Sequence, residues 1–396
     1  MELRVHTPDG LVDELPQVGV VGAPEGERRE FELTVTDADG HRWRSRGERF
    51  EERLFWDMDF ASEGSAPTAF VAPPDQLRYE LGARCGREAS VAHLIRRWSA
   101  VGVERRELSG DGFAGTLFSP AGGAGGGVLV LAGSTGRRAM EPMGALLASH
   151  GYVALVAAYM QEPGLPRNLE EIPVEVVGRA LSTLEAETGP AAAIAASVGT
   201  QGMLAALAHG VARPTRAVAI APSSVVWQAL PADGRPPRTA AWSHGGQPLP
   251  WLAIHGERIF PEIVKHGLLD RLSRNPRPRA LHMLPAYAPS LRKPSDVERA
   301  AIPVERIECP LLLLSGDQDA MWPGAPMAKM IEERRGGGDK HDRSLTFAQA
   351  GHFLRPPITP TTVPWNDELV SGGSAEGNAR AQAEGWAAIL TFLEQN

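Results

Sequence analysis

The sequence predicts a two-part α/β protein: a small antiparallel β-sandwich over residues 1–100, then a larger, mostly parallel sheet covered by helices over residues 101–396. Three observations carry this. Before residue 100, apolar and polar residues alternate in twos, as in half-buried strands. Beyond it, near-continuous apolar runs alternate with helical stripes, the pattern of buried parallel strands between helices. And a chain of 396 residues exceeds the roughly 250–300 at which a single core stops growing.

In the first part, Phe31, Leu33 and Val35 alternate with Glu32, Thr34 and Thr36. The Asp39-Gly40 pair follows and alternation resumes at His41-Arg42-Trp43-Arg44, a hairpin signal. Val18–Val21 and Arg53–Trp56 predict further short strands, and the first helical stripe falls at Ser90–Trp98.

In the second part, Gly126–Leu131 is the first buried strand, followed by the Gly133-Ser134-Thr135-Gly136 turn. A helix comes next, with Met143, Leu146 and Leu147 on one face and Gly151 at its C-terminal end. Tyr152–Ala158, Ala191–Ala196, Ala217–Ala221 and Leu311–Leu314 are further strands. Trp386, Ile389, Leu390 and Leu393 form the apolar stripe of a closing helix. Residues 222–308, rich in Pro, Trp and Gly, break this rhythm. An excursion of that length predicts a cap-like insertion over the substrate.

Composition narrows the function. Apolar residues at 43% and charged residues at 22% are those of an ordinary globular protein. A net charge of -8 speaks against a nucleic-acid partner, which needs a concentrated basic surface. No run approaches the roughly 20 apolar residues of a membrane span, so no membrane partner is expected. The N-terminal MELRVHTPDG lacks a signal-peptide core, which makes the cytoplasm the expected location. Two cysteines, Cys85 and Cys309, cannot build a disulfide framework or a structural zinc site. No His-Glu-x-x-His spacing occurs among the eleven histidines, and neither metal nor cofactor is expected. The oligomeric state is not legible.

The chemistry concentrates at Ala195-Ala196-Ser197-Val198-Gly199, between a strand-like and a helix-like run. Small residues on both sides of a serine at a strand–turn–helix junction predict a nucleophile elbow. A serine hydroxyl needs a base in hydrogen-bond reach and a third group that orients the base. On a parallel sheet these follow in the order Ser, acid, His, each at the carboxyl end of a strand. The strand Leu311–Leu314 runs into Ser315-Gly316-Asp317-Gln318-Asp319, and Ala350-Gly351-His352 follows the strand-like Leu345–Phe347. Asp319 is the preferred acid, because the Gly-x-x-Asp spacing clears the turn; Asp317 is the preferred turn cap. His255 is a rival base that precedes the acid strand. The oxyanion hole is expected from the N–H groups of Val198 and Ser134, with Thr135 as the alternative.

With these motifs in view, the chain resembles the acyl-CoA thioesterase and bile acid-CoA:amino acid N-acyltransferase family, in a bacterial version. The N-terminal part carries Thr7-Pro8-Asp9-Gly10-Leu11-Val12-Asp13-Glu14 and Thr36-Asp37-Ala38-Asp39-Gly40-x-x-Trp43-Arg44-Ser45. The second part carries Leu146–Tyr152, Gly164-Leu165-Pro166 leading to Ile172-Pro173, and Gly316-x-x-Asp319-x-x-Trp322-Pro323. It ends with Gly351-His352-x-x-x-Pro356-Pro357-x-x-Pro360-Thr361. The resemblance implies a β-sandwich followed by an α/β-hydrolase domain, an acyl-CoA or acyl-carrier thioester as substrate, and a triad of Ser197, Asp319 and His352.

Two departures matter. The family's elbow is followed by a small residue and Glu; here Thr200 and Gln201 stand there, which bears on acyl-chain specificity. Amino-acid-conjugating members resemble a Cys version of the elbow, whereas this nucleophile is Ser197. An acyl-cysteine stays reactive toward amines, while an acyl-serine beside an activating histidine favours water. A thioester hydrolase is therefore the leading expectation, and transfer of the acyl group to an amine or alcohol the second. A binding module on a dead hydrolase is disfavoured, since all triad positions are filled. Residues 222–308 and 353–375 are expected to meet over Ser197, with Trp227, Trp242, Trp251 and Trp322 lining the acyl pocket.

Overall fold

The computed structural model describes residues 1–23, 27–64, 66–122, 125–232, 237–272, 279–336, 341–352, 356–357, 359–363 and 368–395. Its N-terminal part holds a six-stranded sheet in the order Asp9–Leu11, Glu88–Arg97, Gln76–Cys85, Arg29–Thr36, Arg42–Gly47 and Asp59–Phe60. All neighbours are antiparallel except the first pair. Glu2–Val5 and Val18–Val21 form a separate antiparallel ribbon.

Two local expectations are corrected here. Arg53–Trp56 is a single helical turn, not a strand. Leu54 and Phe55 are both buried, and a strand would send consecutive side chains to opposite faces. The stripe at Ser90–Trp98 is not helical either. Glu88–Arg97 pairs along its whole length with Gln76–Cys85, and Leu94, Arg96 and Trp98 are buried at every second position. The two strands are close in sequence, joined through Gly86 (φ 58°) and Arg87, so pairing overrides the helical pattern.

The second part is built on an eight-stranded sheet of β1 (Glu104–Gly110), β2 (Phe113–Ser119), β3 (Gly127–Leu131), β4 (Val153–Ala158), β5 (Ala191–Ala196), β6 (Ala217–Ile220), β7 (Leu311–Gly316) and β8 (Arg343–Phe347). The order is β1-β2-β4-β3-β5-β6-β7-β8, with parallel pairing from β4 through to β8: an α/β-hydrolase sheet. Helices α1 (Glu141–Ser149), α2 (Glu175–Thr188), α3 (Val198–Ala208), α4 (Phe260–Leu272), α5 (Gly324–Arg335) and α6 (Ala375–Glu394) complete it.

Alternation within the strands divides the core. Leu129 and Leu131 join one cluster with Leu181 of α2 and Leu204 of α3. Val128 and Val130 join another with Leu146 of α1, Trp386 of α6, and Leu33, Trp43 and Tyr79 of the N-terminal sheet. The N-terminal sheet thus shares an apolar core with one face of the hydrolase sheet. In α6, Trp386 and Ile389 are buried as the stripe predicts, and Phe392 joins them. Among the described residues, no helix is long and apolar enough to cross a membrane.

Candidate active site

Ser197 sits between the end of β5 and the start of α3 with φ 53° and ψ −127°. A positive φ in a non-glycine residue costs about 1–3 kcal/mol and persists only where the surroundings over-determine it. They do so here. The Ser197 N–H donates to Ile220 O at 2.9 Å. Its carbonyl accepts from Thr200 N at 2.9 Å and from Thr200 Oγ1 at 2.7 Å. The small flanking residues have a steric reason: a Cβ on Gly199 would stand 2.7 Å from the carbonyl oxygen of Ala132.

Asp319 lies beyond β7 and His352 beyond β8, at the carboxyl edge where β5 delivers Ser197. The three meet. His352 Nε2 is 2.8 Å from Ser197 Oγ, and His352 Nδ1 is 2.7 Å from Asp319 Oδ2. Asp319 Oδ1 accepts from Met321 N at 2.8 Å and Trp322 N at 3.1 Å, which fixes the carboxylate. Both Asp319 and His352 are buried. Asp317 Oδ1 accepts from Gln349 N at 2.6 Å, so it ties β7 to β8 outside this chain of bonds. His255 is bonded to Glu257 at 2.9 Å, on a separate segment.

Val198 opens α3, and the first N–H groups of a helix have no intrahelical acceptor. The loop after β3 passes close by: a Cβ on Gly133 would lie 3.4 Å from Ser197 Cβ, and Ser134 is the next residue. That loop is anchored by buried Arg137, which pairs with Glu107 at 2.6 Å, Glu141 at 3.1 Å and Glu162 at 3.2 Å. Val198 follows Ser197 directly, and the loop that carries Ser134 approaches the same serine at Gly133.

The four tryptophans divide. Trp322 meets the His352 ring edge-on at 5.5 Å; Tyr287 contacts Trp322 at 6.1 Å and Trp227 at 4.9 Å. An aromatic run therefore leads from His352 into the excursion. Trp227 is wholly buried, its indole N–H bonded to Ser223 and its backbone N–H to Gln201 Oε1 at 2.9 Å. Trp242 is also wholly buried and fills the space over Gly202 of α3, where a Cβ would lie 2.2 Å from the ring. Trp251 is half-buried in a separate cavity of about 460 Å³ with His255, Pro289 and Lys293.

Residues 222–308 and the tail after His352 do meet. Leu281 N donates to Glu368 O at 2.8 Å, Val370 N donates to Leu281 O at 3.0 Å, and Ser371 O accepts from His352 N at 2.9 Å. Residues 353–355, 358 and 364–367 of that tail lie outside the described residues. Tyr287, Gly202 and the Thr200 hydroxyl escaped the sequence reading; only Gly202, a lone glycine in a helical run, carried a local signal.

Neither cysteine competes with the serine. Cys85 is buried in the N-terminal sheet, and burial pushes the Cys309 thiol up to about 11, far from the thiolate a nucleophile needs. Among the described residues, no group of three His, Cys, Asp or Glu side chains is placed to hold a metal ion. A hydroxyl bonded to an imidazole that a buried carboxylate orients can deliver an activated oxygen to an acyl carbon.

Comparison with known proteins adds what the chain is similar to. Residues 276–396 match the family model described as BAAT / acyl-CoA thioester hydrolase C terminal. The chain is 25% identical over 317 residues to acyl-coenzyme A thioesterase 1 of Mus musculus, covering 77% of this chain and 68% of that protein. It is 24% identical over 320 residues to the mitochondrial acyl-coenzyme A thioesterase 2 of Mus musculus, covering 78% of this chain and 64% of the relative. Among solved structures, TT1662 from Thermus thermophilus aligns at 19% identity with a TM-score of 0.38, over 74% of this chain and 99% of that one. The carboxylesterase CesB of Bacillus subtilis aligns at 14% identity and 0.37, over 65% and 87%. The family model and the curated relatives bear out the resemblance read from the sequence.

Proposed function

We propose that this member of the acyl-CoA thioesterase and N-acyltransferase family is a serine-dependent acyl-thioester hydrolase. Its substrate is an acyl-CoA or an acyl-carrier thioester. Ser197 Oγ attacks the thioester carbonyl while His352 Nε2 takes its proton, and Asp319 holds the imidazole through Nδ1. The N–H groups of Val198 and Ser134 receive the negative oxygen of the tetrahedral adduct. Collapse breaks the carbon–sulfur bond, His352 returns the proton to the departing sulfur, and an acyl-Ser197 ester remains. Water, deprotonated by His352, then adds to the ester carbonyl; the bond from carbon to Ser197 Oγ breaks, His352 returns the proton to Oγ, and the carboxylic acid leaves. In this reading residues 1–100 form a β-sandwich domain and 101–396 the catalytic domain, with 222–308 as its cap.

The observation that supports it most is the continuous Ser197–His352–Asp319 hydrogen-bonded chain at the carboxyl edge of the sheet. The test is release of free thiol from a panel of acyl-CoA chain lengths, with and without amine and alcohol acceptors. Ser197→Ala is expected to keep the fold and lower turnover by several orders of magnitude. Full activity in that variant would remove the site, and turnover that requires an acceptor would replace hydrolysis by acyl transfer.

A further inference from the structure

Helix α4 wears its amphipathic pattern inside out. Phe260, Val264, Leu268 and Leu272 recur every fourth residue on one face, and they are 62%, 52%, 58% and 75% exposed. Ile263 and Leu269 flank them, and no residue of the helix is buried. Of the exposed large hydrophobics among the described residues, six fall in these thirteen positions, a concentration that scattered surface residues do not explain. The opposite stripe is Glu262, His266 and Asp270, and its two acids are bonded back onto the chain. Glu262 accepts from His282 Nδ1 at 2.9 Å and His282 N at 3.2 Å, and lies 3.8 Å from His266 Nε2. Asp270 pairs with Arg279 at 3.4 Å. Both acids of the helix are thus engaged on the inner side. Its cations, Lys265 and Arg271, are exposed, as is Arg258 just before it.

We propose that α4 docks on an anionic lipid surface, its apolar stripe at the acyl boundary and Lys265, Arg271 and Arg258 at the level of the phosphates. The charge pattern selects this occupant. A two-fold antiparallel pairing with a second copy, centred on Leu268, would bring Lys265 of one copy against Arg271 of the other, cation on cation, while both acids of the helix are already engaged. A lipid surface supplies hydrocarbon for the stripe and anions for the cations together. The contact is peripheral and requires no spanning segment. It is also linked to the site: His282, which pins α4, follows Leu281, whose isolated bridge partner Leu369 lies two residues before the Ser371 that holds the His352 backbone.

Flotation of the full-length protein with phosphatidylcholine vesicles, with and without phosphatidylglycerol, tests this without reference to catalysis. Binding is expected on the anionic vesicles only, weakening several-fold as salt screens the cations. Leu268→Asp with Leu272→Asp should weaken it by about tenfold or more while leaving the circular dichroism spectrum and the melting temperature unchanged, which shows that the variant folds. Lys265→Glu with Arg271→Glu should abolish the preference for anionic vesicles. Ser197→Ala should float like the native chain, so loss of the hydrolase reading would leave this one standing. No flotation with either vesicle overturns the proposal. So does a native dimer by sedimentation that the double leucine variant converts to monomer, which would make the occupant a second copy.

Discussion

Trp386 and Asp13 are joined by a 2.7 Å hydrogen bond across 373 residues, from the last helix to the first part of the chain. His150, at the end of α1, reaches the same Asp13 oxygen at 2.6 Å. One carboxylate, 5% exposed, therefore clips the N-terminal sheet to two helices of the hydrolase part, along the face where their apolar cores merge.

That clip is pH-dependent. Its hydrogen bond to Asp13 raises the His150 imidazole above the ordinary histidine value. A raised folded-state value contributes stability fully below the unfolded value of about 6.5 and loses it as pH rises through the folded value. His150→Gln is expected to lower the Tm at pH 6 and to change it little at pH 9. Equal losses at both pH values in thermal melts would show that the imidazole contributes by packing alone.

Asp319→Asn should reduce kcat by about four orders of magnitude with little change in KM, as loss of an orienting carboxylate does where a histidine must keep one tautomer. The amide can still accept from Met321 and Trp322, so the loop should hold its shape. Steady-state thiol release gives both constants; a rise in KM with kcat intact would assign Asp319 to binding instead.

Gly199→Ala and Gly267→Ala form a matched pair. The new methyl at 199 would meet the backbone oxygen of Ala132, which cannot swing aside, whereas at 267 it meets nothing within 4 Å. The first should destabilise by about 1–3 kcal/mol and silence the enzyme. The second, in a helix interior, should stabilise by about 0.5–1 kcal/mol. Denaturant melts decide; equal effects would mean the close approach at the elbow is not limiting.

Ser197→Cys should slow hydrolysis and shift the product toward an amide when an amine is supplied, because an acyl-cysteine keeps its reactivity toward nitrogen. Mass spectrometry of the products with glycine or hydroxylamine present measures the partition. An unchanged partition would place acceptor choice in the pocket and not in the nucleophile.

The parts of this fold that were legible from the chain are those written within a few residues. The strands at 127–131, 153–158, 191–196 and 311–316 are apolar on both faces because helices or sheet cover both, and that leaves an unbroken run. The elbow was legible because its steric demand falls on immediate neighbours. Ser197, Asp319 and His352 could be put in order because the topology of a parallel sheet dictates it. What was hidden depended on distant partners. Trp242 fills a gap above Gly202, 40 positions away, so a residue expected to line a pocket stands instead in the packed core. Glu88–Arg97 carried a helical stripe that its hairpin partner overruled. Residues 260–272 gave no warning that their polar stripe would face inward, since an amphipathic pattern does not say which side meets the protein.

The left-handed backbone at Ser197 implies a trade between durability and turnover at a single residue. Glycine adopts that conformation without the crowding a β-carbon creates. Ser197→Gly should therefore yield an inert protein that outlasts the native one on heating, by a margin of about 1 kcal/mol or more. If selection acted on persistence alone, drift at this position would run toward glycine. On the proposed mechanism, a serine held in this backbone conformation exchanges ruggedness for reactivity.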